Sequence, residues 1–189
     1  MYKLCKTEQS ACRQRELEHG LLQAMCTHRY EEISVSDLCD QLDIPRKSFY
    51  RYFSSKDGAL HALIDHTLME YEGYFPGYGK GNKRSYHKEL EQFFQYWQDK
   101  HLLLDALDRS GLSGVLVLRA VDYAQSDLGI PIRFLPQNNK CARQHATVFG
   151  VCGLMSMVMN WHKTGFEMSV SQMADIAVEL VTKPIFSEC

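Results

Sequence analysis

Apolar residues recur along most of this chain at intervals of three and four positions, the spacing that places side chains on one face of an α-helix. In the first such stretch Leu17, Leu21 and Met25 share a face, and Gly20 between them indicates close packing. Proline is scarce and no long alternation of β-branched residues occurs, so we predict an all-α protein. Helices are expected over residues 7–28, 34–42, 45–53, 56–75, 85–100, 102–109, 112–128, 140–163 and 170–182.

Two short helices joined by a tight link stand out in the first third of the chain. Ser34 and Asp37 form a capping signature that opens the first helix. Pro45 suits the start of the second helix, where its missing N–H does no harm. This arrangement is a helix-turn-helix. We predict that an N-terminal three-helix domain containing it occupies residues 1–70 and that a C-terminal helical domain occupies residues 71–189. A basic, glycine-rich loop, residues 76–84, is placed just inside the second domain.

The second helix of this motif divides into an apolar face and a polar face. The apolar face carries Ile44, Phe49 and Phe53. The polar face carries Lys47, Ser48, Tyr50 and Arg51. Residues 46–56 contain four cations and no acid. A helix with an apolar anchor on one side and exposed Arg, Lys, Ser and Tyr on the other suits the major groove of DNA.

Net charge is only −2 and the pI is about 6.4, so the whole molecule is not a polycation and any positive surface must be local. The chain has 189 residues and 45% hydrophobic residues, enough to bury a core without disulfides or metal. Its seven cysteines are irregularly spaced and include no CxxC pair. Reduced thiols in a cytoplasmic protein are the simplest interpretation.

Several classes of protein are disfavoured by what the sequence lacks. The first residues have no apolar leader core, and the longest apolar stretch, residues 148–161, is too short for a bilayer span, so we expect no membrane partner. No P-loop, GxSxG or HExxH motif occurs. We therefore expect neither an enzyme nor a cofactor nor a metal site.

Residues 33–60 resemble the DNA-binding signature of the TetR/AcrR family of transcriptional regulators. That pattern has a Thr or Ser cap, a hydrophobic-Ala pair, a Gly-Val turn, a Thr-hydrophobic-Tyr-x-His/Tyr-Phe run and a Lys that opens the next helix. The corresponding positions are Ser34, Leu38-Cys39, Asp43-Ile44, Ser48-Phe49-Tyr50, Tyr52-Phe53 and Lys56. Three positions depart from the pattern: Asp43 stands for the turn glycine, Pro45 for a capping Ser and Cys39 for Ala.

The resemblance implies a sequence-specific DNA-binding regulator, a ligand-responsive repressor that acts as a homodimer on a near-palindromic operator in double-stranded DNA. It also implies roles for individual residues at the bases or at the phosphate backbone. These DNA-binding residues are Ser34, Ser36, Arg46, Lys47, Ser48, Tyr50, Arg51, Tyr52 and Lys56.

The C-terminal domain would then bind a small-molecule effector and dimerise. Residues 149–181 resemble the closing helix pair of the family, in which Gly153 and Ser156 would allow close helix approach. The expected dimer interface is Val151, Leu154, Met155 and Val158. The aromatic residues that are candidates either for ligand binding or for core packing are Phe93, Phe94 and Trp97.

Two alternatives stay open. A helix-turn-helix protein that has lost most DNA affinity can act as a co-regulator through protein contacts, and Asp43 and Pro45 are compatible with that role. A redox or metal sensor is the other alternative. Its residues would be His87, His101, His145 and His162 with Cys141 or Cys152, but their spacing gives it no support.

Overall fold

The computed structural model describes residues 2–3, 5–73, 86–126 and 140–182, and all regular elements in these ranges are helical. In chain order they are α1 (Glu8–Thr27), a 3-10 turn (Tyr30–Glu32), α2 (Val35–Gln41), α3 (Arg46–Tyr52), α4 (Lys56–Gly73), α5 (Tyr86–Asp99), α6 (His101–Arg109), α7 (Ser113–Gln125), α8 (Lys140–Lys163) and α9 (Val170–Thr182). The predicted all-α class is confirmed. The basic loop predicted at residues 76–84 lies outside the described residues.

Helix α1 forms where its apolar periodicity and its cap both predict a helix. The Thr7 hydroxyl accepts a hydrogen bond from the Ser10 amide at 3.3 Å and satisfies one of the free N–H groups of the first turn. Leu17 and Leu21 are buried on its inner face. Gly20 lies on the same face, and a Cβ built on it would stand 2.6 Å from a methyl group of Leu42. The absence of a side chain at Gly20 lets the end of α2 approach α1.

Helices α1 to α4 surround an apolar core at the N-terminal end of the molecule. Leu38 of α2, Phe49 of α3 and Phe53 just after α3 are buried there. The rings of Phe49 and Phe53 lie 5.2 Å apart. Leu60 and Ile64 of α4 belong to the same core, so α3 is held against the domain by its aromatic face.

Helix α4 is continuous through the boundary that was expected at residue 70. It packs against α1 on one side and α7 on the other. Between α4 and α7, the Arg119 guanidinium donates to both carboxylate oxygens of Asp65, with the Nε–Oδ1 distance at 2.8 Å. The shared helix and this ion pair connect the helix-turn-helix region to the C-terminal helices.

The C-terminal helices pack as two main pairs, α5 with α9 and α7 with α8. Aromatic side chains fill the space between them: the rings of Phe94 and Trp161 lie 5.8 Å apart in edge-to-face geometry. Trp161 also donates its indole N–H to the Met168 carbonyl at 2.9 Å. Within the described ranges, no helix combines the length and the apolar character that a membrane span requires.

Candidate nucleic-acid interface

The start of α2 is fixed by a reciprocal capping box. The Asp37 amide donates to the Ser34 hydroxyl at 3.1 Å, and the Ser34 amide and hydroxyl donate to the Asp37 carboxylate at 3.2 and 2.6 Å. These hydrogen bonds to the charged form lower the pKa of Asp37. The Ser34 hydroxyl proton is thus engaged within the protein, so Ser34 must reorient before it can donate to DNA.

The turn between α2 and α3 accommodates both of its unusual residues. Asp43 has φ of 49°, the left-handed conformation in which Asp is better tolerated than most residues. The Ile44 amide donates to the Cys39 carbonyl at 3.0 Å and closes the turn. Pro45 is the N-cap of α3, with its carbonyl accepting from the Ser48 amide at 2.8 Å. The departures at residues 43 and 45 are therefore compatible with the geometry of a helix-turn-helix.

Helix α3 separates its side chains as its sequence pattern predicts. Phe49 and Phe53 are 0% and 1% exposed. The cations Arg46, Lys47 and Arg51 are exposed on the outer surface. Ser48 is half-buried, and Tyr50 lies with the cations at 46% exposure. We call this outer surface of α3 the basic face.

Two residues expected at the DNA have prominent contacts inside the protein. Tyr52 is only 7% exposed, so little more than the edge of its side chain is available to another molecule. Lys56 donates from its ammonium to the carbonyls of Tyr30 and Ile33, at 2.6 Å for Ile33, and its Nζ lies 4.1 Å from the centre of the Tyr30 ring. In this conformation Lys56 joins the start of α4 to the segment before α2. The DNA-binding roles of both residues stay predictions.

Tyr30 is a central residue of this region that sequence reasoning missed. Its hydroxyl donates to the Asp57 carboxylate at 2.6 Å, and its amide donates to the Ser110 hydroxyl at 3.0 Å. Burial and the bond to Asp57 raise the pKa of Tyr30. It therefore connects the N-terminal end of α4 to the turn between α6 and α7. This role cannot be predicted from a local sequence pattern, because Ser110 is distant from Tyr30 in the sequence.

The aromatic candidates of α5 lie in the core of the C-terminal helices. Phe94 and Trp97 are buried, and Phe93 is half-buried with its ring 5.8 Å from that of Tyr71. Among the described residues, the buried indole N–H of Trp97 has no hydrogen-bond acceptor. A buried donor without a partner costs about 1–3 kcal/mol, and such an atom is a point at which a ligand could bind.

The residues expected at a dimer interface divide between two environments. Val151 and Leu154 are half-buried, but Met155 and Val158 are 2% and 0% exposed because they face into the protomer core. A second copy cannot cover side chains that are already covered. The exposed face of α8 instead carries Phe149, Gly153 and Ser156, and Phe149 is 74% exposed. We call these three residues the α8 outer face.

The histidines considered for a sensor lie apart, and two of them form ion-pair contacts. His87 lies 2.9 Å from an Asp175 carboxylate oxygen, and His162 lies 2.7 Å from one of Asp105. Across the ranges that the structure describes, no group of three His, Cys, Asp or Glu side chains is arranged to hold a metal ion.

Comparison with known proteins agrees with this geometry. Residues 27–63 match the model for bacterial regulatory proteins of the tetR family. No curated protein is similar enough in sequence to match the chain.

Three solved structures share the fold. The dihydroxyacetone kinase operon activator DhaS has a TM-score of 0.59 at 14% identity, covering 89% of this chain and 93% of its own. The fatty acid degradation regulator FadR from Bacillus halodurans has a TM-score of 0.59 at 12% identity, covering 96% and 98%. A protein from Rhodococcus sp. assigned to the TetR family has a TM-score of 0.53 at 13% identity, covering 89% and 96%.

A capped helix-turn-helix with an outward basic face, followed by a helical domain, defines a helix-turn-helix transcriptional regulator. The matched segment includes this motif, and the similarity of fold extends over most of the chain. Residues 27–63 therefore resemble the DNA-binding segment of the tetR family of bacterial regulatory proteins, and the chain shares its fold with a solved structure assigned to that family.

Proposed function

We propose that the protein is a cytoplasmic, homodimeric repressor that binds a near-palindromic operator and is released by a small-molecule effector. The observation that carries this proposal is the basic face of α3, where Arg46, Lys47 and Arg51 are exposed while Phe49 anchors the helix from behind. A cationic helix held rigidly by its apolar side is what major-groove recognition requires.

Within this proposal some residues of α3 contact the bases of DNA and others contact its backbone. Arg46, Lys47 and Ser48 contact base edges or the nearest phosphates, since they begin the helix. Tyr50 and Arg51 contact the backbone, which positions the protein without reading sequence. Ser34 and Ser36 contribute from α2, while Tyr52 and Lys56 act at the rim of the interface and mainly hold α3 and α4 in place.

Dimerisation would bring two copies of α3 to successive major grooves, about 34 Å apart. The α8 outer face is the surface we propose for this contact, together with Ile176 and Leu180, which are exposed one turn apart on α9. At Gly153 nothing lies within 4 Å of where a Cβ would be, so a second helix has room to approach closely. Val151 and Leu154 flank this face.

The effector would contact the aromatic residues of α5. The unpartnered indole N–H of Trp97 supports this, because an effector with a hydrogen-bond acceptor would satisfy it. The chain has two tryptophans, so the variant Trp161→Phe leaves Trp97 as the sole indole fluorophore. A compound that releases the protein from DNA should then change the emission of Trp97. Release without such a change would place the effector elsewhere.

The proposal is tested by measuring affinity for duplex DNA over a series of salt concentrations. We expect a steep fall in affinity with salt, and about 5- to 150-fold weaker binding for Lys47→Ala at the operator sequence that wild-type protein enriches from a random library. Arg51→Ala should weaken binding to operator and unrelated duplex equally, because phosphates carry no sequence information. Lys88→Ala, an exposed lysine of α5, is the matched control.

The opposite outcome would favour the co-regulator alternative. If wild-type protein binds no duplex, or binds with an affinity that salt and Lys47→Ala leave unchanged, the basic face does not contact DNA. Repression itself is tested with a reporter gene placed behind the selected operator. Increased expression in the presence of the protein would make it an activator, the role named for the similar structure DhaS.

A further inference from the structure

The segment before α1 is tied to the C-terminal end of α3. The Lys3 amide donates to the Tyr52 carbonyl at 3.0 Å, and Tyr2 forms an isolated antiparallel bridge with Phe53. Since Tyr52 ends α3 and Phe53 is its C-cap, this segment lies directly beside the C-terminal end of α3.

Side chains anchor the same segment at two further points. The Tyr2 hydroxyl donates to Asp65 at 2.8 Å, and the Tyr2 ring packs edge-on against His66 at 5.6 Å. The Cys5 thiol donates to the Gln14 side-chain oxygen at 2.8 Å. Tyr2 is thus anchored on α4 and Cys5 on α1.

Each of the two anchors is followed directly by a lysine. Lys3 and Lys6 are exposed, whereas Tyr2 and Cys5 are half-buried. Residues 1–6 contain these two lysines and no acid; the first acid is Glu8, in the first turn of α1. Lys3 is paired with Tyr52, which directly follows the exposed Arg51. A second cationic element therefore lies beside the basic face.

We propose that Lys3 and Lys6 form a phosphate-binding arm that extends the DNA interface beyond the helix-turn-helix, contacting the backbone beside the phosphates that α3 reaches. This rests on the proposed function. The chemistry is that of ammonium groups on flexible stems, which bind phosphodiesters as point charges and discriminate little between sequences. The arm contributes affinity and register but no base readout.

The experiment compares the double variant Lys3→Gln/Lys6→Gln with wild type and with Lys88→Gln. The probes are a duplex carrying the sequence that wild-type protein enriches from a random library and an unrelated duplex of the same length. Each phosphate contact contributes about 0.9 to the slope of log affinity against log salt, or about threefold for a fourfold change in salt. Loss of two contacts should therefore reduce the salt effect by about tenfold per protomer, equally on both duplexes.

A second variant separates the anchor from the charges. Tyr2→Ala keeps both lysines but removes the contacts with Asp65 and His66, so it should weaken DNA binding. In that background Lys3→Gln/Lys6→Gln should have a smaller effect than in wild type, since the arm is no longer positioned. Circular dichroism and thermal unfolding confirm that each variant is folded.

The outcomes distinguish the arm from the proposed function. Suppose that the DNA affinity of wild type falls steeply with salt and is reduced by Lys47→Ala, but that Lys3→Gln/Lys6→Gln behaves like Lys88→Gln. The arm is then refuted and the proposed function stands. A change in thermal stability without a change in salt slope also refutes it, since the lysines would then only complement the C-terminal end of α3. If wild type binds no duplex, both proposals fail.

Discussion

The capping box at Ser34 and Asp37 shows how two side chains set the position of a recognition motif. The Ser34 hydroxyl accepts a hydrogen bond from the Asp37 amide and donates one to the Asp37 carboxylate. These two side chains therefore stabilise the first turn of α2 together. Because α2 is only seven residues long, it has little intrinsic stability to compensate for a lost cap.

Replacing Ser34 with Ala should therefore lower the free energy of unfolding by about 1 kcal/mol. The matched control is Ser36→Ala, two residues later in the same helix and outside the capping box, which should change it by no more than about 0.5 kcal/mol. Urea denaturation measures both. Equal effects of the two substitutions would show that the cap is not important for stability.

The same cap predicts a dependence on pH with a definite sign. The pKa of Asp37 is lowered in the folded protein, so its charged form stabilises the fold at pH values above the ordinary 3.8. That contribution is lost as the pH falls through the lowered value. The difference in unfolding free energy between wild type and Asp37→Asn should therefore be constant near neutral pH and shrink below pH 3.8. A difference that grows on acidification would contradict this assignment.

Asp43 and Lys56 show which properties of a single residue can be predicted from the sequence and which cannot. The left-handed conformation of Asp43 could be predicted, because Asp43 stands where the family pattern has a turn glycine and backbone geometry is local. The bonds from Lys56 to the carbonyls of Tyr30 and Ile33 could not be predicted. A cation at a helix N-terminus looks the same in sequence whether it faces solvent, DNA or a carbonyl from an earlier segment.

At the scale of elements, the helices were predictable and their burial was only partly so. Local signals fix the ends: Thr7 caps α1, Ser34 caps α2 and Pro45 precedes α3. Which side of α8 is buried depends on α7 and α5, which the sequence does not place. Met155 and Val158 therefore looked suited to an interface, although they pack within the protomer.

The packing of α1 on α2 gives a prediction at this scale. A Cβ on Gly20 would stand 2.6 and 2.8 Å from the two methyl groups of Leu42, and a branched side chain cannot fit without displacing Leu42. We expect Gly20→Val to lower the free energy of unfolding by about 1–3 kcal/mol. Leu42→Ala should cost less in that background than in wild type, because it removes the clash. Additive effects in urea denaturation would contradict a direct contact.

At the scale of the whole molecule, the DNA-binding region and the C-terminal helices are joined by the continuous helix α4, by packing of α1 on α6 and by polar contacts. Asp65 of α4 accepts from Arg119 of α7 and from the Tyr2 hydroxyl. At a second point the Tyr30 amide donates to the Ser110 hydroxyl. Since α1 also packs on α6, where Arg109 donates to the Cys26 carbonyl, a change among the C-terminal helices has several direct routes to the helix-turn-helix, as the proposed effector control would require.

Removing one partner of the Asp65–Arg119 pair should be more harmful than removing both charges. Arg119→Met leaves a nearly buried carboxylate with only the Tyr2 hydroxyl, and we expect a loss of about 2–3 kcal/mol in unfolding free energy, below the value for a fully buried pair because Arg119 is partly exposed. Adding Asp65→Asn should recover part of this loss. If the double variant is no more stable than Arg119→Met, the loss comes from packing of the Arg119 side chain and not from an unpaired carboxylate.

The proposed operator binding by two protomers would need a surface through which two chains associate. Among the described residues, the most exposed large apolar side chain is Phe149 of the α8 outer face, one turn before Gly153. In a two-fold symmetric dimer each substitution occurs twice, so Phe149→Arg should weaken self-association by at least about tenfold. It should also reduce operator affinity, since one recognition helix then binds without its partner. Leu102→Arg, at an exposed apolar position on α6, is the matched control for added charge. Sedimentation measures the change in assembly, and identical behaviour of Phe149→Arg and Leu102→Arg would move the dimer interface to another face of the molecule.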